Sequence, residues 1–266
     1  MRIGCATWLL GADRLLDAVR AACDAGLTAV SFGFAPQERL SGGEMKELAR
    51  IVETHDLLAT MHTQVGQKGD TEWPKVLKQR LALIREWHEE TGRLACITFD
   101  PGSYKEGEVR EFDLEGSAET LYATAETFVP LGVRVGIENG FWCLNTVERL
   151  NEFSKKAGAK VGMLLDIGHV NICSKLNGLD PAEYIGSGPL EIIEIHVHNN
   201  NGQKDEHLPI GEGNLDLQRT FTALKARGFD NIATLENTDF DTAQKAAESW
   251  RRCADIFREG WEQAGS

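Results

Sequence analysis

The sequence lacks the features that would place the protein in a membrane or in an oxidising compartment. None of its apolar runs approaches the roughly 18 residues that a membrane-spanning helix requires. The six cysteines lie far apart without a CxxC pair, a pattern that predicts reduced, mostly buried thiols. No long apolar stretch follows Arg2, so we expect no signal peptide and a cytoplasmic protein.

Positive charge is scarce as well. The chain has 28 Lys and Arg residues against 41 Asp and Glu residues, and its net charge is −13. A phosphate backbone would be repelled unless one face concentrated the basic residues, and the pairs Lys155-Lys156 and Arg251-Arg252 are isolated on predicted helices. We therefore expect neither a nucleic acid nor a membrane as partner, and a homo-oligomer is left open.

No glycine-rich phosphate-binding turn follows an early strand, which disfavours a doubly wound nucleotide-binding sheet. What recurs instead is a helical stretch that ends in Gly or a polar pair and is followed by a short β-rich run. Eight such runs are predicted as strands, at residues 2–8, 28–34, 57–64, 94–100, 133–139, 161–167, 191–199 and 231–237. The repeat predicts an α/β fold, a single (β/α)8 TIM barrel that covers residues 1–266 as one domain, with the doubly wound sheet as the alternative.

Amphipathic stretches between the strands predict helices that cover the barrel. Ser41, three residues before Glu44, and Asn145, before Thr-Val-Glu, are the predicted N-caps of two of them. The last helix is the clearest, because its apolar residues form one stripe that comprises Ala243, Ala246, Ala247, Trp250, Ala254, Phe257 and Trp261.

Polar residues close six of the eight predicted strands. Side chains alternate along a strand, so Ile195 and Val197 would pack on helices while His196 and His198 point into the barrel mouth. The same parity sends a polar side chain inward at five other strand ends, namely at His62, Asp100, Glu138, Asp166 and Glu236.

Each of these residues alone has an ordinary explanation. A single carboxylate at a strand end usually caps a helix or pairs with a cation, and a single His is usually a hydrogen-bonded core residue. Together, however, converging carboxylates would repel one another strongly, and a bound cation is the simplest remedy. The pattern therefore predicts a divalent metal ion at the carboxyl ends of the strands.

Four segments carry a resemblance to a known family. They are Gly136-Ile-Glu-Asn-Gly140, Leu165-Asp-Ile-Gly-His169, the run from His196 to Gly213, which is the most specific, and Leu235-Glu-Asn237. Over essentially its whole length the chain resembles the xylose isomerase-like barrel superfamily, which includes sugar (phosphate) isomerases and epimerases and the endonuclease IV type of DNA-repair enzyme. The resemblance implies a metal ion held by Glu138, Asp166, His196 and Glu236. Three carboxylates and one imidazole suit Mn²⁺, Mg²⁺, Co²⁺ or Zn²⁺.

The resemblance implies that more than one ion could bind, because the DNA-repair branch holds three zinc ions. His169 with Asp205 and His207 matches the third zinc site of that branch. These residues and His198 either bind a second metal ion or contact hydroxyl groups of the substrate. Alternatively, Asp205 and His207 only pin their loop.

The first zinc site of the repair branch is matched less well. His62 and Glu138 stand at its ligand positions. Asp100, in the segment Asp-Pro-Gly, stands where the repair branch has His. His62 and Asp100 are therefore additional candidate ligands for a metal ion or for the substrate.

The resemblance implies a small-molecule sugar as the substrate, and the leading function that it implies is isomerisation of an aldose or epimerisation of a ketose. A metal ion would stabilise the enediolate that forms when a proton leaves the substrate. Glu138 and Glu236, on different strands, would act as base and acid on opposite faces of the substrate. His169 and His198 would orient its hydroxyl groups.

Three other functions stay open. A multi-zinc phosphodiesterase of the endonuclease IV type would use the additional ligands, but the net charge and the lack of a basic or aromatic loop for a duplex count against it. A metal-dependent dehydratase or lyase acting on a polyol or keto acid could use the same site, and a barrel without catalysis would only bind a sugar. Trp8 and Trp142 either form an apolar wall or pack at the rim, and the loops at 65–75, 101–115 and 171–188 are expected to select the substrate.

Overall fold

The computed structural model describes residues 1–66, 71–101 and 112–265. They form a closed barrel of eight parallel strands whose neighbours follow chain order, and the last strand pairs with the first. The strands are β1 (Arg2–Ala6), β2 (Ala29–Phe32), β3 (Leu58–Gln64), β4 (Leu94–Asp100), β5 (Arg134–Glu138), β6 (Val161–Asp166), β7 (Ile192–Val197) and β8 (Ile232–Leu235). The α-helices in these ranges are α1 (Leu15–Asp24), α2 (Gly42–Thr54), α3 (Trp73–Thr91), α4 (Leu114–Phe128), α5 (Val147–Ala157), α6 (Ile167–Asn177), α7 (Pro181–Ser187), α8 (Leu217–Ala226) and α9 (Ala243–Gln263). Two of the predicted specificity loops fall partly outside the described residues, at 67–70 and 102–111.

The predicted TIM barrel is confirmed, and each observed strand lies inside one of the eight predicted runs. The chain reverses direction after each helix, and several of these junctions contain a residue in the left-handed backbone conformation that such a reversal favours. Gly92 and Gly132 have φ angles of 63° and 84°, and Asp56 has a φ of 49° at the junction where a polar pair replaces glycine. These residues direct the chain from each helix back into the next strand.

The predicted strand near 191–199 is too long at its carboxyl end. β7 ends at Val197, because Asn199 leaves the barrel and pairs with Leu208 in the following loop. The N–H groups of Asn199 and Leu208 each donate to the carbonyl of the other at 2.8 Å. The loop therefore folds back over the end of the barrel instead of extending the sheet.

The helix-capping predictions are confirmed in one case and wrong in the other. Glu44 accepts a hydrogen bond from the N–H of Ser41 at 2.9 Å, as a capping box requires. At α5 the cap is Thr146, not Asn145: the Thr146 hydroxyl accepts the N–H of Arg149 at 3.2 Å. The helix thus begins one residue later than predicted.

The core lies between the barrel and its helices and inside the barrel. On α9, Trp250 and Phe257 are fully buried, as the predicted stripe requires. All six cysteines are free thiols and five of them are buried. Across the ranges given above, no helix is long and apolar enough to cross a membrane.

Candidate metal centre

Six of the eight strands bring a polar side chain to the same end of the barrel, the end at which the strands finish. These side chains are His62 on β3, Asp100 on β4, Glu138 on β5, Asp166 on β6, His196 on β7 and Glu236 directly after β8. β1 and β2 lead instead towards the aromatic residues Trp8 and Phe34, which line the cleft at this end. In TIM barrels this is the end at which active sites form.

Glu138, Asp166, His196 and Glu236 form a compact group that we term the central site. All four side chains are buried. The Nδ1 atom of His196 lies 3.0 Å from Glu236 Oε2, 3.4 Å from Glu138 Oε1 and 4.0 Å from Asp166 Oδ2. Three carboxylates from three strands therefore converge on one imidazole nitrogen.

The separations of 3.0 Å and 3.4 Å fit neighbouring ligands of a single ion. Ligand atoms about 2.1 Å from a metal ion lie about 3.0 Å apart in octahedral geometry and about 3.4 Å apart in tetrahedral geometry. Both ring nitrogens of His196 are buried, and neither has a hydrogen-bond partner of good geometry among the residues described. Buried polar atoms are rarely left in this state. The donor set and the unsatisfied imidazole thus fit a divalent cation.

Glu138 faces a second imidazole, that of His62. The Nε2 atom of His62 lies 3.6 Å from Glu138 Oε2, the oxygen turned away from His196. The Thr98 hydroxyl donates its one hydrogen to the carbonyl of Met61 at 3.4 Å. It therefore accepts from His62 Nδ1 at 3.0 Å, so Nδ1 carries the proton of the ring and Nε2 keeps its lone pair. Burial, aided by the charge of His196, lowers the pKa of His62 to about 3. His62 is therefore neutral and able to bind a cation.

A second group of candidate ligands lies beside the central site. His169, His198, Asp205 and His207 are termed the outer histidine cluster. Asp205 Oδ2 lies 3.2 Å from Nε2 of His169 and 3.1 Å from Nε2 of His207. The Nε2 atom of His198 lies 3.5 Å from Asp205 Oδ1 and 3.1 Å from the carboxylate of Asp166. Asp166 thus joins the central site to the outer histidine cluster.

Backbone carbonyls fix two imidazoles of the outer histidine cluster. His169 Nδ1 donates to the carbonyl of Asn139 at 2.8 Å, and His207 Nδ1 donates to the carbonyl of Glu236 at 2.7 Å. Because a carbonyl can only accept, Nδ1 carries a proton in both rings and Nε2 is directed at Asp205. Histidines that bind metal ions are usually oriented by an outer hydrogen bond of this kind.

In the metal-free protein, protons balance part of the negative charge. Burial raises the pKa of Glu138 to about 7, against the attraction of the neighbouring imidazoles. Burial also acts to raise the pKa of Glu236, but the charges of His196 and His207 outweigh it and lower that pKa to about 2. In His207, burial acts to lower the pKa, but Glu236 and Asp205 raise it to about 10. A metal ion would have to displace such protons.

Four groups of three ligand atoms, each within 4.8 Å of one another, occur in the described part of the chain. They are His62–Glu138–His196, Asp166–His196–Glu236, Asp166–His169–His198 and His198–Asp205–His207. Of the ten residues that the sequence singled out, only Asp100 is absent from these groups. Asp100 lines the cleft, and its charge contributes to the raised pKa of Glu138.

Two residues of the motifs support the site, although the sequence analysis assigned them no role. The Asn139 side chain accepts the N–H of Asp166 at 2.6 Å and donates to its carbonyl at 3.1 Å, which fastens the ends of β5 and β6 together. Gly168 lies against the ring of His198, and a Cβ at this position would be 2.1 Å from the ring atom Cε1. Their only signal in the sequence was their position beside Glu138 and Asp166.

The central site opens into a cleft of about 830 Å³. That volume is within the range of small-molecule pockets. Trp8 and Trp142 lie on its wall, and so do Trp73 and Arg80, which no sequence motif indicated. The Nε and Nη2 atoms of Arg80 donate to the carboxylate of Glu38 at 2.9 Å and 3.1 Å, so the charge of Arg80 is already paired.

The comparisons with known proteins agree with the motifs. Residues 19–259 match the family described as xylose isomerase-like TIM barrel, and the chain belongs to that family. The uncharacterised protein MJ1311 of Methanocaldococcus jannaschii is 34% identical over 158 residues, which cover 55% of this chain and 51% of that protein. The chain thus spans about half the length of this relative.

Solved structures of similar fold include sugar epimerases and related barrels. A D-tagatose 3-epimerase-like protein is 24% identical, with a TM-score of 0.71 over 97% of this chain and 99% of that chain. The protein IOLI, solved with a bound zinc atom, is 17% identical, with a TM-score of 0.74 over 97% of this chain and 99% of that chain. At these identities the likeness shows the fold alone.

Proposed function

We propose that the protein is a divalent-metal-dependent epimerase or isomerase of a sugar or sugar phosphate that acts through an enediolate. The observation that carries the proposal is the placement of Glu138 and Glu236. They approach one imidazole nitrogen from β5 and β8, three strands apart around the barrel. Two carboxylates on separate walls of a cleft are suited to removing and returning a proton on opposite faces of a substrate.

The central site would hold the catalytic ion. A bound divalent ion would supply positive charge that stabilises the enediolate formed when the proton leaves. Mn²⁺, Mg²⁺, Co²⁺ and Zn²⁺ all suit three carboxylates and an imidazole. The outer histidine cluster is proposed to hold a second ion, because three imidazole nitrogens face the carboxylates of Asp205 and Asp166.

The two carboxylates lie in different electrostatic surroundings. Against the effect of burial, the charges of His196 and His207 lower the pKa of Glu236 to about 2, whereas burial raises the pKa of Glu138 to about 7. Both carboxylates would be ionised when they bind a divalent ion, because the ion displaces the proton of Glu138. We therefore assign Glu138 and Glu236 together as the acid and base pair.

A multi-metal phosphodiesterase is the second candidate, because His62 and the outer histidine cluster offer more ligands than one ion needs. The charge of the cleft favours the sugar. Arg80 and Lys204 are the only Lys or Arg side chains among its described lining residues, and Arg80 is bound to Glu38. A cleft with so little free positive charge is poorly suited to a polyanionic duplex.

The test compares Glu236→Gln with the wild-type protein. Glutamine keeps the size and one oxygen ligand but cannot accept the proton. We expect the variant to lose exchange of the carbon-bound proton of a ketose with deuterated water, while sugar binding is weakened but detectable. Glu212→Gln is the matched control, since Glu212 is exposed and faces Arg252 rather than the cleft.

The same preparations should be incubated with a duplex that contains an abasic site. We expect no cleavage at physiological salt. Abasic-site cleavage by the pure wild-type protein, without exchange on any ketose, would overturn the proposed function in favour of the phosphodiesterase.

A further inference from the structure

Glu194 is a fully buried acidic residue that lies outside both the central site and the outer histidine cluster. It stands on β7, two residues before His196, and its side chain is 0% exposed. Its Oε1 atom accepts hydrogen bonds from the hydroxyls of Thr60 at 2.9 Å and Thr234 at 2.5 Å, and its Oε2 atom accepts from the thiol of Cys96 at 3.3 Å. Three neutral donors thus hold a carboxyl group whose burial would otherwise be unfavourable.

These hydrogen bonds cross the barrel. Thr60 and Cys96 belong to β3 and β4, which lie four and three strands away from β7 in a ring of eight. Thr234 belongs to β8, the neighbour of β7. The carboxyl group of Glu194 therefore spans the interior and ties four strands together.

Two residues farther towards the carboxyl ends, three of these strands carry candidate metal ligands, and β4 carries Thr98, which accepts from His62 Nδ1. Residues two apart on a strand share a face and lie about 6.6 Å from each other. Each strand thus carries a residue of the Glu194 hydrogen-bond group and, two positions later, a residue nearer the cleft. These pairs are Thr60 and His62, Cys96 and Thr98, Glu194 and His196, and Thr234 and Glu236. Nearer the cleft, the rings of His62 and His196 face each other with centroids 4.9 Å apart. The separation of His62 and His196 thus depends on the distance at which Thr60 and Glu194, two residues earlier, hold β3 and β7.

We propose that Glu194 is a positioning residue: it holds β3, β4, β7 and β8 at the separation that places His196 and Glu236 around the ion of the central site, with His62 beside Glu138. This inference rests on the proposed metal site. A carboxylate suits the role because its two oxygens can accept all three donors. Glutamine would keep one oxygen for Thr60 and Thr234 but turn an amide N–H group towards the thiol, and methionine would offer the three donors only one weakly accepting sulfur.

The experiment measures Mn²⁺ binding to the full, chelator-stripped chain by titration calorimetry, and the rise in melting temperature that Mn²⁺ causes. We expect Glu194→Met to weaken the Kd for Mn²⁺ tenfold or more, with Glu194→Gln in between. A tenfold loss lowers the stabilisation by bound Mn²⁺ by about 1.4 kcal/mol. Glu191→Met is the matched control, because Glu191 is exposed just before the same strand. It should bind Mn²⁺ like the wild type.

A purely structural role gives a different result. The variants would then lower the melting temperature of the metal-free protein but leave the rise caused by Mn²⁺ unchanged, which would overturn the inference. If Glu194→Met does not fold, Glu194→Gln and Thr234→Val decide the question, and a wild-type rise in both would also overturn it. If the wild type itself does not bind Mn²⁺, the same titrations are made with Co²⁺, Zn²⁺ and Mg²⁺, and failure to bind any of the four ions would contradict the proposed metal site, and with it this inference.

Discussion

Replacing Gly168 with alanine should displace an imidazole of the outer histidine cluster and empty that cluster of its ion. A Cβ at this position would lie 2.1 Å from Cε1 and 2.5 Å from Nε2 of His198. Non-bonded carbon atoms stay about 3.5–4.0 Å apart, so the ring must move by more than about 1 Å. Metal ligands tolerate deviations of only about 0.2 Å. The Nε2 atom would therefore leave its position 3.1 Å from the carboxylate of Asp166.

The same substitution should lower stability even without metal. Overpacking a well-filled interior costs about 1–3 kcal/mol, and each kcal/mol lowers the melting temperature of a chain of this size by about 2–4 °C. An ion held at a free concentration 100 times its Kd adds about 2.7 kcal/mol, and this contribution would be lost as well. The fall in melting temperature should therefore be larger in metal-saturated buffer than in chelator.

Metal content after dialysis and thermal melts test this prediction. We expect two ions per chain in the wild type and one in Gly168→Ala. Gly186→Ala is the matched control, since a Cβ at Gly186 on α7 would meet no atom within 4 Å. Two ions per chain and a wild-type melting temperature in Gly168→Ala would refute the placement of His198, and a single ion per chain in the wild type would refute the second ion.

Metal removal and pH should act on the same carboxylates and imidazoles. A chelator should lower the melting temperature, because the carboxylates of the central site then face one another without a cation; an unchanged melt of fully stripped protein would contradict the metal site. Affinity for Mn²⁺ should rise from pH 6 to 8, because Glu138 and His207, with pKa values of about 7 and 10, must give up protons when the ion binds. Calorimetry in buffers of different ionisation enthalpy should count the release of at least one proton. Affinity independent of pH would contradict that reasoning. The raised pKa of His207 should stabilise the metal-free protein fully below its unfolded value of about 6.5 and progressively less as pH rises towards 10. Denaturant unfolding of stripped protein at pH 6 and pH 9 should show this loss, and His207→Gln should reduce it.

The barrel could be predicted because its signals are local. A residue that ends a helix and a short apolar run after it recur along the chain, and a left-handed Gly92 or Gly132 appears where the pattern requires one. The errors lie at the ends of elements, where local signals compete. Asn145 and Thr146 are both good capping residues, and only the structure shows that Thr146 receives the N–H of Arg149.

The candidate site could be predicted as far as the sequence shows which side chains of a strand point into the barrel. Alternation alone places His196 and Glu236 on the inner face, and the barrel then brings them together. The supporting contacts were not predictable, because they join residues far apart in the sequence. Thr60 and Glu194 are 134 positions apart. Nothing in the short segments around them indicates that one hydrogen bond links opposite walls of the barrel.

The most direct test of the account is proton exchange on ketoses by wild-type protein that has been stripped of metal and then reloaded. The stripped protein and the protein reloaded with Mn²⁺, Co²⁺, Zn²⁺ or Mg²⁺ should be incubated with a panel of ketoses and ketose phosphates in deuterated water. We expect deuterium at a carbon next to the carbonyl, together with the epimer or aldose, for at least one substrate and only after reloading. Exchange that is equally fast in fully stripped protein, or its absence on every ketose with every ion, would contradict the account.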